Sequence, residues 1–102
     1  MIYQKLVRDH IPEIITSQGD RPVFRILEAH EFSACLARKL DEEVAEFHSA
    51  NNLEELADIL EVIYALAENM GYSKTELMKV YQEKHVSRGG FSKRIFLISK
   101  EG

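Results

Sequence analysis

Five carboxylates stand at helical spacing near the middle of the chain, Glu42-Glu43-x-x-Glu46 and then Glu55-x-x-Asp58. On an α-helix, residues three or four apart project from one side, so each cluster can aim its oxygens at a common point. An oxygen set without His or Cys suits a hard cation, magnesium or manganese, better than zinc or copper. Magnesium commonly bridges protein carboxylates and substrate phosphates, which calls for a second, basic element. Lys84 and Arg88 offer one. They lie four apart and can point from one side of a helix end, and Gly89-Gly90 just beyond lets backbone N–H groups approach an anion closely.

Each element also has a plainer explanation. Acidic runs are common on solvated helices, a Lys and an Arg near a helix C-terminus complement its negative end, and paired glycines make turns. The helical context argues for more. Taking about 100° per residue, Phe32, Leu36, Leu40, Val44 and Phe47 form one apolar arc, and Glu43 falls in its middle. An unpaired carboxylate there would be costly or would take up a proton, so something positive is expected beside it. A metal ion would serve, and Lys39 is a competing partner on the same helix. On the next helix the apolar arc runs through Leu53, Leu56, Leu60, Ile63, Tyr64, Ala67 and Met70; Glu55 flanks it, and Asp58 shares its side with Val62 and Ala65. A hairpin turning around His48 to Asn52 would let the two acidic sides converge.

The elements that must position these groups are legible from local signals. Lys5 to Asp9 reads as an extended lead-in to a short helix with Pro12 in its first turn and Gly19 at its stop. Helical patterns run from about 29 to 48 and from about 53 to 69, the second closed by Gly71. Ser73-Lys-Thr-Glu76 is a capping box opening a further helix to about residue 86. Residues 22–27 and 93–99 are rich in β-branched and aromatic side chains and are expected to pair as a small two-stranded sheet on a mostly α domain.

A chain of 102 residues is expected to form one domain, residues 1–102, that depends on good packing or oligomerisation. Its 45% hydrophobic and 29% charged content is that of a globular protein without a bilayer-spanning run. A start without the pattern of a signal peptide makes a cytoplasmic location the expectation. The net charge of −4 argues against a general nucleic-acid binder. A lone Cys35 leaves no intrachain disulfide and no Cys-rich zinc site, and none of the histidines is paired at ligand spacing.

Taken in order, Glu42-Glu43-x-x-Glu46, Glu55-x-x-Asp58 and Lys84-x-x-x-Arg88 resemble the all-α nucleoside triphosphate pyrophosphohydrolases of the MazG type. The opening Lys5-Leu-Val-Arg-Asp9-x-Ile-Pro12 and the closing Arg88-Gly-Gly-Phe91 resemble a small branch of that superfamily described as phosphoribosyl-ATP pyrophosphohydrolase-like. The resemblance implies an all-α helical bundle and magnesium-dependent cleavage between the α and β phosphates of a nucleotide, giving a monophosphate and pyrophosphate. It implies that Glu43, Glu46, Glu55 and Asp58 hold the metal, Glu42 serves the attacking water, and Lys84 and Arg88 grip phosphates, with Arg8 the first residue of the lead-in to be suspected of joining them. It implies a homodimer or homotetramer, consistent with Val62 and Ala65 forming a second apolar face. The gap between Glu46 and Glu55 is short for the family, which implies a tighter hairpin. Two other readings stay open: hydrolysis of phosphoribosyl-ATP or another nucleotide derivative, and a non-catalytic helical module that binds a nucleotide or a protein.

Overall fold

A computed structural model of the chain describes residues 4–102 and contains four α-helices among them: α1 (Ile11–Ser17), α2 (Ala29–Ala50), α3 (Leu53–Asn69) and α4 (Lys74–Arg88). The mostly helical architecture expected from the sequence is present. None of the described helices is long and apolar enough to cross a membrane.

The centre of the fold is the antiparallel hairpin of α2 and α3. Asn51 ends α2 in the left-handed conformation (φ 51°, ψ 52°), a region an L-residue enters at low cost chiefly as Asn or Gly. Asn52 is extended and its side chain accepts the Glu55 N–H at 3.0 Å, filling one of the orphan donors of α3. The reversal is therefore two residues long. At the other end of the hairpin, Asn69 Nδ2 donates to Ser33 Oγ at 2.8 Å, pinning the end of α3 to the start of α2.

Ahead of α2, the Arg25 guanidinium forks onto Glu31 at 3.0 and 2.6 Å, and Glu31 also accepts the Glu28 N–H at 3.3 Å. α4 opens on the expected capping box, Ser73 Oγ accepting the Glu76 N–H and Glu76 accepting the Ser73 N–H, both at 3.1 Å. It touches α3 through its first turns, where Lys74 Nζ lies 4.3 Å over the Tyr64 ring and Tyr64 Oη meets Met78 Sδ at 3.8 Å.

One expectation is corrected. No strand forms among the described residues: 22–27 and 94–99 carry no regular secondary structure, Lys93 lies in a turn and Arg94 takes a positive φ of 56°. A ladder needs its strands side by side, and α4, about 22 Å long for its 15 residues, separates the second segment from the end of the hairpin where the first one enters α2. The apolar arc of α3 is only partly covered within a single copy. Leu53, Leu56, Leu60, Ile63 and Met70 are exposed, and the buried residues of α3 are Val62 and Ala67. α3 is apolar around more of its circumference than one neighbouring helix can cover, and the side bearing Asp58 and Val62 is turned towards α2.

The core of a single copy is correspondingly slight, comprising Leu36, Val62 and Ala67 among the described residues, with Glu43 buried beside them. The radius of gyration is 18.0 Å and the longest extent 62 Å, where a compact chain of about 100 residues has a radius near 13 Å. The C-terminal residues account for much of the unspent apolar surface, Ile95 to Ile98 being 77–90% exposed.

Candidate metal centre

The two-residue turn sets the helices in phase, so that the acidic side of α2 meets that of α3. Glu43 is common to both clusters: one of its oxygens groups with oxygens of Glu42 and Glu46, and one with oxygens of Glu55 and Asp58, each trio within 4.8 Å. The sequence-derived ligand set Glu43, Glu46, Glu55 and Asp58, with Glu42 beside it, is thus brought together. Glu43 is 6% exposed, as its place in the apolar arc predicts.

Basic residues balance part of this charge. Lys39 Nζ lies 3.1 Å from Glu43 Oε1 and 3.3 Å from Glu42 Oε1, and Lys5 Nζ lies 3.6 Å from Glu42. Burial works against the charge of Lys39, but its hydrogen bonds with Glu43 and Glu42 outweigh that and hold its pKa above the usual value. Arg8 spans Asp58 and Glu61, donating at 3.1 Å to each. What remains is unbalanced: Glu43 Oε2 and Glu55 Oε2 are buried without a hydrogen-bond partner among the described residues. Buried carboxylate oxygens left in this state are costly. A hard cation between the helices fits these donors, since it prefers oxygen ligands and would satisfy both orphans.

Electrostatics report the same crowding. Burial, and then the neighbouring charges of Glu46, Asp58 and Glu43, push the Glu55 carboxyl above its ordinary value. By contrast, the Arg25 fork and the Glu28 N–H hold the Glu31 carboxyl down at about 2. The two groups act on stability in opposite directions. Glu31 contributes stability above its ordinary value of 4.5, which is lost as the pH falls through about 2. The Glu55 contribution is full below 4.5 and is lost as the pH rises through its raised value. Thermal unfolding in chelator should therefore show a stability maximum, with a falling alkaline limb that magnesium flattens and Glu55→Gln removes. An alkaline limb indifferent to both would mean that Glu55 is not under this strain.

The cluster opens into a cleft of about 420 Å³ lined by Lys5, Val7, Arg8, Ile11, Lys39, Glu43, Asp58, Glu61 and Val62. That volume lies within the range of small-molecule sites, about 300–1,000 Å³. Arg8 is at the cleft, as suspected. Lys84 and Arg88 are not: both are exposed on α4, neither lines the cleft, and neither forms an ion pair among the described residues. Beside them, His85 stacks on Tyr81 with ring centroids 5.9 Å apart. Sequence reasoning did not single out Lys5 or Glu61. The signal for Glu61 was present, since it stands three after Asp58 and extends the acidic face by one turn.

Comparison with known proteins adds little to this geometry. No family model matches the chain, and no solved structure matches it. A stretch of 47 residues is 53% identical to part of a Mycolicibacterium smegmatis protein described as uncharacterized. It covers 46% of this chain and 48% of that protein, so the chain spans about half the length of the curated relative it matches.

Proposed function

We propose that the protein is a magnesium-dependent nucleotide pyrophosphohydrolase of the MazG type, cleaving the α–β phosphoanhydride of a nucleoside triphosphate to a monophosphate and pyrophosphate. The observation that carries this reading is the pair of orphaned buried oxygens, Glu43 Oε2 and Glu55 Oε2, contributed by successive helices to one acidic site. A purely structural helix pair has no use for them, whereas a hard cation does.

Glu43, Glu46, Glu55 and Asp58 would hold the magnesium, with manganese as a substitute. The bound ion would supply charge neutralisation for the polyphosphate and a lowered pKa for its water. Glu42, less buried than Glu43, would accept a proton from the attacking water as general base. Arg8 offers a planar fork suited to phosphate oxygens and would exchange its bonds to Asp58 and Glu61 for the substrate. Lys84 and Arg88 complete the phosphate grip in this reading from a second copy. The exposed stripe of Leu53, Leu56, Leu60 and Ile63 supports such a homo-oligomer, dimer or tetramer, because a patch of this kind marks an interaction surface.

A second reading has its own observation. Lys39 and Arg8 already balance Glu43 and Asp58 without a metal, which favours a non-catalytic nucleotide-binding or protein-binding module. Pyrophosphate release from a panel of nucleoside triphosphates and phosphoribosyl-ATP, with and without magnesium, separates the two. Magnesium-dependent release supports the enzyme and ranks its substrates. Tight nucleotide binding with no release across the panel would replace it by the binding module.

A further inference from the structure

Beside the metal cleft lies a second one of about 380 Å³, whose lining includes Lys5, Cys35, Arg38, Lys39 and Glu42. The two clefts share Lys5 and Lys39, which stand at the boundary between them. Their charges differ. The metal cleft sets Lys5, Arg8 and Lys39 against Glu43, Asp58 and Glu61. The second sets Lys5, Arg38 and Lys39 against Glu42 alone. In a chain with a net charge of −4, a concave surface with this excess of cations is suited to an anionic ligand.

Spacing along α2 explains the excess. Cys35 and Glu42 each lie three or four residues from both Arg38 and Lys39, so all four share one side of the helix. Arg38 stands one turn before Glu42, but that carboxylate is held by Lys39 at 3.3 Å and by Lys5 at 3.6 Å. The Arg38 guanidinium instead donates to Cys35 Sγ at 3.3 Å, and it forms no ion pair among the described residues. A thiol sulfur is a weak acceptor. Phosphate oxygens take two parallel N–H bonds from a guanidinium and hold them far more strongly.

We infer that the second cleft is the subsite for the nucleoside monophosphate half of the substrate, with Arg38 on the α-phosphate. The inference deepens the pyrophosphohydrolase reading and rests on it for the direction of attack. In that reaction the water oxygen bonds to the α phosphorus as its proton passes to Glu42. The bond from the α phosphorus to the α–β bridging oxygen breaks, and its electron pair leaves with pyrophosphate. Attacking and leaving oxygens lie in line, on opposite sides of the phosphorus. Glu42 lines the second cleft and not the first, so attack from its side sends pyrophosphate towards Arg8 and the acidic cluster. The α-phosphate oxygens that do not react then lie at the boundary marked by Lys5 and Lys39, and the nucleoside extends past Arg38 into the second cleft. Its volume is within the range of small-molecule sites.

Cys35 makes this cleft directly readable, because it is the chain's single cysteine. Its alkylation by iodoacetamide, a neutral reagent, is followed by mass spectrometry without metal, in the presence of AMP, GMP, CMP, UMP, ribose 5-phosphate or inorganic pyrophosphate. At least one of the monophosphates should slow labelling by about tenfold or more once the site is filled, with pyrophosphate much less effective. Losing a charged hydrogen-bond partner lowers affinity by about tenfold or more. Arg38→Gln should therefore raise the concentration needed for protection by that factor, and Arg38→Lys, which keeps the charge but not the fork, should fall between. No protection by any monophosphate, better protection by pyrophosphate, or protection that Arg38→Gln leaves unchanged overturns the inference. Pyrophosphate release, measured separately, keeps the two readings apart. Release without protection removes the subsite and leaves the enzyme, whereas protection without release leaves a monophosphate site and removes the enzyme.

Discussion

Glu43→Gln should abolish magnesium-dependent pyrophosphate release while leaving the metal-free protein folded. Glutamine preserves the shape of the side chain and one acceptor oxygen for Lys39, but removes the charge shared by both acidic trios. Metal stabilisation of a reacting phosphate is worth several kcal/mol, and each ~1.4 kcal/mol is tenfold in rate, so a loss of about a hundredfold or more is expected. Stability supplies the control. If Glu43 were only the ion-pair partner of Lys39, removing its charge would leave the lysine poorly balanced and destabilise the fold by about 3–5 kcal/mol. If Glu43 is a ligand, the metal-free variant should unfold at or above the wild-type temperature, because a strained oxygen has been neutralised, and the upward shift that magnesium gives the wild type should vanish. Thermal scans with and without magnesium read both signs. A destabilised variant that still responds to magnesium would assign Glu43 to structure.

The other large effect belongs to the core. Leu36 is 3% exposed and lies two turns before Glu43 on the same face of α2. Leu36→Ala should cost about 2–5 kcal/mol through lost transfer energy and the cavity left behind. Against a total of about 5–15 kcal/mol for an ordinary domain, that is a large fraction, and here few other buried side chains share the burden. Leu36→Met keeps the volume and should cost less than about 1.5 kcal/mol. Urea unfolding of the pair checks this at equilibrium. Equal losses for both variants would show that the hairpin is not held at this position.

Much of the site was legible before any coordinates. The burial of Glu43 followed from its place in the arc of Leu36 and Leu40, and its partner Lys39 followed from one-turn spacing on the same helix. The short reversal was signalled by consecutive asparagines, each of which does a separate job in closing one helix and opening the next. The sheet was misread because β-branched and aromatic content reports what a segment would bury, not where its partner lies. Periodicity identifies an apolar stripe, but when Leu60 and Val62 belong to two stripes of one helix, the choice between them depends on the neighbour. The ion pairs of Arg8 with Asp58 and Glu61 join residues 50 and 53 positions apart, a separation that no local pattern encodes.

The reversal at Asn51 and Asn52 has a bearing on how this chain can vary in length. One residue added between Glu46 and Asn51 would advance the turn by about 100° around the axis of α2 and ~1.5 Å along it. Glu55 and Asp58 would then aim away from Glu43, and the acidic site would come apart without any ligand having been replaced. Three or four added residues would bring the phase nearly back but shift the turn by ~4.5–6 Å along α2, so α3 would have to lengthen by a turn as well before Glu55 and Asp58 came level with Glu43 again. Between the two acidic clusters, insertions and deletions should therefore be tolerated only when both helices change by about one turn together, which makes the number of intervening residues as much a part of the site as the carboxylates.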